Sequence, residues 1–113
     1  MTCIFCSIIE RKAPATIVYE DDTVIAFHTI NPIAPVHLLI VPKRHIESVN
    51  TLLPEDEGIM GHLFTAARTL ADHEGIAQAG YRLVTNTGPD GGQSVYHIHM
   101  HLIGGRHLPF RFD

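Results

Sequence analysis

The sequence predicts an α+β domain in which a five-stranded antiparallel sheet carries one long helix on a face and one short helix beside it. Two patterns predict it. One long run repeats its apolar residues at a period of 3.6, whereas five short stretches rich in apolar, β-branched and aromatic residues are bounded by turn residues. Successive strands are also joined by short turns, which favours antiparallel pairing.

Ile4, Phe5, Ile8 and Ile9 follow Thr2, a candidate N-cap, at helical spacing. They predict a short helix over about residues 3–11, ended by Pro14. Residues 16–19 and 24–28 read as strands joined by a turn at Glu20-Asp21-Asp22. Asn31-Pro32-Ile33-Ala34-Pro35 is a loop, since two prolines exclude a central strand. Residues 36–41 form an apolar run broken by His37, read as a buried strand that Pro42 stops. Pro54 before Glu55, Asp56 and Glu57 starts a long helix over about residues 55–74. Its apolar face is Ile59, Met60, Leu63, Phe64, Ala67, Leu70 and Ala71, and Gly75 ends it. Residues 81–85 and 95–103 are the last strands, separated by the tight loop Thr87-Gly88-Pro89-Asp90-Gly91-Gly92.

At 113 residues the chain reads as one domain, 1–113, with one core. A domain this small buries a modest share of its surface, so oligomerisation is a ready source of stability. The net charge of −4, without runs of one sign, argues against a nucleic-acid partner. No apolar stretch approaches the roughly 20 residues of a membrane span. The beginning, Met1-Thr2-Cys3-Ile4-Phe5-Cys6, does not read as a secretory signal. A cytoplasmic location is expected, and there the two cysteines stay reduced.

Histidine is the compositional outlier, with nine residues against no tryptophan. Side chains alternate along a strand, so His97, His99 and His101 are expected to share one face, with Ile98, Met100 and Leu102 on the other. Asn86, Gly88, Gly91 and Gly92 just upstream let backbone approach a ligand, and Gln93 and Ser94 add donors. Three readings fit this arrangement: packed core histidines, a catalytic metal held by the H-x-H spacing, or attack on a phosphorus held by the loop. Spacing and loop leave metal and phosphorus chemistry nearly even. His62 and His73 on the long helix read as solvated or at its edge, His107 is weakly placed in the tail, and Lys43 and Arg44 read as exposed residues without a role.

Tyr96-His97-Ile98-His99-Met100-His101-Leu102-Ile103-Gly104-Gly105 resembles the histidine-triad (HIT) motif, H-φ-H-φ-H-φ-φ with φ apolar. The likeness extends through Gly80-Tyr81-Arg82, Asp90-Gly91-Gly92-Gln93-Ser94-Val95, Ala26-Phe27-His28, Asn31-Pro32, Ala34-Pro35-Val36-His37 and Val41-Pro42-Lys43. It covers nearly the whole chain in order, and the Gly-Gly after the motif looks like the Hint-like branch. That resemblance implies a HIT-like fold and a homodimer whose two sheets join into a ten-stranded one. It implies a hydrolase binding AMP- or GMP-like purine nucleotides, which cleaves purine nucleoside phosphoramidates or aminoacyl adenylates without an organic cofactor. By position it makes His99 the nucleophile that becomes nucleotidylated, has His101 contact the α-phosphate, and has His37 and His97 support them. It places Asn86, Gly92, Gln93, Ser94 and Val95 on the phosphate side, Ser94 near the leaving group, and Ile4, Phe5, Phe27, His28, Thr29 and Ile30 around base and ribose. One departure stands out: the branch usually has Asp at the position of Thr29, where a carboxylate holds the ribose hydroxyls. The alternatives kept open are a nucleotide-binding regulatory module with negligible turnover, a dinucleoside polyphosphate hydrolase, and a metal-dependent hydrolase using the triad directly.

Cys3-x-x-Cys6 admits buried thiols or half of a zinc site, while a thioredoxin-like redox pair is disfavoured because no strand precedes it. Some bacterial members of the resembled family that begin in this way look like holders of structural zinc. Their other two ligands correspond here to His45 and His97. A Cys2His2 set of Cys3, Cys6, His45 and His97 implies a closed, structural Zn2+ site.

Overall fold

Five strands form a single antiparallel sheet in the order β1-β2-β3-β5-β4, comprising β1 (Ile17–Glu20), β2 (Val24–His28), β3 (Val36–Pro42), β4 (Tyr81–Val84) and β5 (Met100–Gly104). The structure, a computed structural model, describes residues 3–111. Helix α1 (Ile4–Ile9) precedes the sheet, and α2 (Glu57–His73) joins β3 to β4. The predicted element order and antiparallel pairing are present, and no described helix is long and apolar enough to cross a membrane.

Strand alternation divides the core in two. Val24, Ala26, Leu38, Ile40, Met100 and Leu102 pack against Leu63, Ala66, Ala67, Leu70 and Ala71 of α2. The three alanines keep the helix close to the sheet. On the opposite face Ile25, Phe27, Leu39 and Val41 pack against Phe5 and Ile8 of α1. This second face carries the histidines.

Several boundaries differ from the sequence reading, each for a local reason. Helix α1 is capped by Cys3, whose Sγ accepts the Cys6 N–H at 3.3 Å; Thr2 lies outside the described residues. The helix ends well before Pro14, because Arg11 takes a left-handed φ of 64° and turns the chain back. A 3-10 turn, Pro54–Asp56, precedes α2. The largest correction concerns the last strand, which begins at Met100 and not at residue 95. Met100 pairs with Ile40, and two residues further along β3 stands Pro42, which has no N–H to continue the ladder. The Pro42 carbonyl is taken by His97 Nε2 at 2.8 Å, and the Ile98 N–H goes to the Ile46 carbonyl at 2.7 Å. The three triad histidines therefore do not share one strand face. His101 lies in β5, His99 just before it, and His97 at a bend.

Candidate active site

The two later triad histidines converge. The His99 and His101 rings lie 5.1 Å apart, and His37 of β3 lies 5.2 Å from His101. His97 instead packs edge-on against His45 at 4.8 Å. Phe5 lies beneath the group, 5.0 Å from His99 and 5.9 Å from His97.

Hydrogen bonds to backbone fix which nitrogen of each ring carries the proton. A carbonyl only accepts, so His99 Nδ1, 2.8 Å from the His97 oxygen, must bear hydrogen. The His99 Nε2 lone pair is then free. An amide N–H only donates, so His37 Nδ1, 3.2 Å from Ile33 N, must accept. Neutral His37 therefore carries its hydrogen on Nε2 and donates it to His101 Nδ1 at 2.9 Å. His101 in turn presents an Nε2–H. A lone pair and a donor thus stand on neighbouring rings.

Burial keeps these rings neutral. It pushes the pKa of His37 and His99 down from the usual imidazole value. His101 is pushed down to about 4, by burial first and then by the neighbouring His99 and His37. The unfolded chain protonates such a ring at about 6.5, whereas the folded one resists. The stability that His101 contributes is therefore complete above pH 6.5 and is lost as pH falls toward 4. Between pH 7 and 5 the thermal midpoint of the wild type is expected to drop more steeply than that of His101→Asn, by a linkage of about one proton at most. Equal slopes would refute this assignment.

The loop between β4 and the triad is tied to itself. Gly88 and Gly92 adopt φ of 72° and 78°, and a Cβ on Gly91 would sit 2.2 Å from the Thr87 carbonyl oxygen. Gln93 is buried: its Oε1 accepts the Gly88 N–H at 2.9 Å, and its Nε2 donates to the carbonyls of Glu47 and Val95. Asn86 Nδ2 donates to the Gly91 carbonyl at 2.8 Å, and the Gly92 and Gln93 N–H groups bond within the loop. Asn86, Gly92 and Gln93 thus shape the loop, and Val95 packs on the α1 side of the core. Ser94 is exposed.

Phe5 and Phe27 meet edge to face at 5.5 Å and are buried, so they form a floor. Ile4, His28 and Ile30 are the exposed members of this group. The Thr29 hydroxyl oxygen accepts the Asn31 N–H at 3.2 Å, within its own turn.

Cys3, Cys6, His45 and His97 bring one ligand atom each within 4.8 Å of one another. Cys3 Sγ and Cys6 Sγ lie 3.3 and 3.6 Å from His97 Nδ1, Cys6 Sγ lies 3.3 Å from His45 Nδ1, and the two Nδ1 atoms are 3.2 Å apart. The edges of a tetrahedron built on zinc bonds of ~2.0–2.3 Å are roughly 3.3–3.8 Å, so the set fits that ion. His97 donates Nε2–H to Pro42, which leaves Nδ1 as the ligating atom, oriented by a second bond as metal-binding imidazoles usually are.

Three contacts escaped the sequence. His62 sits half-buried at the edge of α2, with its Nε2 2.6 Å from Asp21 Oδ2. Arg44 is exposed as expected, yet it pairs with Asp56, which is 1% exposed. Lys43, read as exposed and without a role, is half-buried and pairs with Glu20 at 2.8 Å. Nothing in the spacing of these pairs signals the contacts.

The sheet order, the neutral histidine pair and the Cys2His2 cluster together define a histidine-triad domain with a built-in metal-ligand set. The HIT domain family matches residues 10–108, and the chain belongs to that family. It is 53% identical over 105 residues to a purine nucleoside phosphoramidase of Escherichia coli K12, covering 93% of this chain and 88% of that protein. A HIT family hydrolase from Legionella pneumophila superposes with a TM-score of 0.95 at 46% identity, covering 96% of this chain and 97% of that one. A histidine triad protein from Clostridium difficile superposes at 0.94 with 42% identity, covering 97% and 96%.

Proposed function

We propose that this chain is a hydrolase of purine nucleoside phosphoramidates, with aminoacyl adenylates as a second substrate class, acting through a nucleotidyl-His99 intermediate. The carrying observation is the tautomer pair: His99 offers a lone pair and His101, beside it, an N–H. His99 Nε2 attacks the α-phosphorus while His101 Nε2–H bonds a phosphoryl oxygen. The phosphorus–nitrogen bond breaks, and the leaving nitrogen takes a proton for which the exposed Ser94 hydroxyl is the candidate donor. Water then attacks the phosphorus, frees His99 and restores that proton. While His99 is nucleotidylated its ring is cationic, and the His97 carbonyl accepting from Nδ1 eases that charge. The test is a hydrolysis panel of adenosine phosphoramidate, an aminoacyl adenylate and diadenosine polyphosphates, with and without chelator. Preferred turnover of the last would favour a dinucleoside polyphosphate hydrolase.

The nucleotide is proposed to lie over Phe5 and Phe27, against Ile4, His28, Thr29 and Ile30, with its phosphate toward Ser94, Val95 and the loop shaped by Asn86, Gly92 and Gln93. Thr29 supports the second reading, a binding module with little turnover, because its hydroxyl oxygen is engaged by Asn31. A carboxylate there would accept from both ribose hydroxyls. Thr29→Asp is expected to tighten AMP binding about tenfold, read by calorimetry. An unchanged affinity would remove Thr29 from the ribose site.

Cys3, Cys6, His45 and His97 would hold zinc. With four protein ligands it would supply cross-linking and folding energy and leave no open position for substrate. A triad-bound catalytic metal is disfavoured, since His97 turns to the cysteines and His101 presents an N–H rather than a lone pair. Both thiols must be reduced to ligate, which suits a cytoplasmic protein. The same reading treats 1–113 as one working domain and pairs two copies through β4, an edge of the sheet, into a ten-stranded homodimer.

A further inference from the structure

The segment from Arg44 to Ser48 touches three parts of the site just described: the metal-ligand set, the triad bend and the glycine loop. His45 belongs to the metal-ligand set. The Ile46 carbonyl accepts the N–H of Ile98, the residue between His97 and His99, at 2.7 Å. The Glu47 carbonyl accepts from Gln93 Nε2 at 2.8 Å, and Gln93 in turn holds the Gly88 N–H of the glycine loop. One short segment therefore sets the register of three functional pieces that come from different parts of the chain.

The segment needs an anchor of its own, because it follows Pro42, the last residue of β3, and belongs to no helix or strand. The Arg44 guanidinium supplies it by pairing with the Oδ1 of buried Asp56. The other oxygen of Asp56 accepts the Leu53 N–H at 3.0 Å. Asp56 immediately precedes α2, which is packed across the opposite face of the sheet. Both carboxylate oxygens are thus committed, one to the turn that starts α2 and one to the segment under the triad.

We propose that Arg44 and Asp56 are positioning residues, an ion pair that clamps segment 44–48 to the start of α2 and through it holds His99 in line for attack. Neither residue needs to touch substrate. The pair is expected to act on the chemical step and to leave nucleotide binding nearly unchanged. This rests on the proposed phosphoramidase reading for its kinetic arm only.

The test compares the full-length wild type with Arg44→Met and Arg44→Lys, and adds the double variant Arg44→Met/Asp56→Asn, which leaves no charge unpaired. Arg44→Met is expected to lower kcat on adenosine phosphoramidate by roughly 10- to 100-fold, with KM within about twofold. Amide hydrogen exchange at Ile98 should accelerate while that at Leu102, inside β5, is unchanged. Arg44→Lys, keeping the charge, should recover a large part of both. The double variant should match Arg44→Met. Exchange at Ile98 and Leu102 accelerating together would mean a general loss of stability and would overturn the proposal. So would unchanged kcat and unchanged Ile98 exchange in either Met variant. If the wild type turns over no phosphoramidate, the functional reading fails, and Ile98 exchange still decides whether the pair positions the triad.

Discussion

His99→Ala is expected to abolish turnover of adenosine phosphoramidate, by roughly 10⁴-fold or more, and to leave AMP affinity within a few-fold. The loss is large because the ring does two things at once. In the proposed mechanism its Nε2 supplies the electron pair that forms the covalent intermediate, and its Nδ1–H is held by the His97 carbonyl at 2.8 Å so that the lone pair is the one presented. Binding should survive because, in the proposed pose, affinity draws on the floor of Phe5 and Phe27 and on the neighbouring residues, none of which is altered. Quenching a wild-type reaction in alkaline denaturant, which spares a histidine phosphorus–nitrogen bond that acid would cleave, should trap protein carrying one nucleotidyl group, and the variant should trap none. Turnover in the variant at the wild-type rate would end the covalent mechanism.

Cys3→Ala is expected to release about one zinc per chain and to lower the thermal midpoint by roughly 10–20 °C. The ligand set draws together α1, the segment after β3 and the triad bend, three pieces distant in sequence. Losing a bound ion would loosen all three, and the binding energy of a structural zinc is folding energy, which here would be on the order of 3 kcal/mol for one missing ligand. Cys3 is also the α1 cap, so its replacement loses a second contact. Cys6→Ala separates the two effects, since it removes a ligand and keeps the cap. Metal analysis of freshly purified, unchelated protein showing no zinc would defeat the metal assignment.

The sheet and α2 were legible because they rest on periodicities of apolar residues, which survive in a single sequence. The triad was legible as a motif, but its geometry was not. Alternation along a strand holds only while the ladder continues, and Pro42 ends it opposite the triad. His97 then bends out to take the Pro42 carbonyl and to face the cysteines. The donor chain from Ile33 through His37 to His101 joins residues up to 64 positions apart and has no local signature. Gln93 reads as a ligand donor in sequence, yet its partner is the Glu47 carbonyl, 46 positions away. Arg44 likewise lacks any signal near it, because its partner is 12 positions away, at the end of the 3-10 turn before α2. The left-handed Arg11 is invisible for a different reason: glycine is the usual sign of that conformation, and none is there.

The division of the sheet into two faces has a consequence for how the sequence can vary. In β2, β3 and β5 the residues with even numbers, Val24, Ala26, Leu38, Ile40, Met100 and Leu102, all meet α2. Those with odd numbers, Ile25, Phe27, His37, Leu39, Val41 and His101, all lie toward α1 or the histidine pair. The antiparallel registers preserve this parity from strand to strand, as Ile25 opposite Val41 and Leu39 opposite His101 illustrate. Adjacent codons therefore answer to different selective demands: one set to the packing of α2 alone, the other at once to the packing of α1 and to the surroundings of the histidines. A lineage can repack the first set with stability as the main thing at stake, whereas every change in the second is weighed against both stability and the site, so the two halves of the same three strands are free to vary to different degrees.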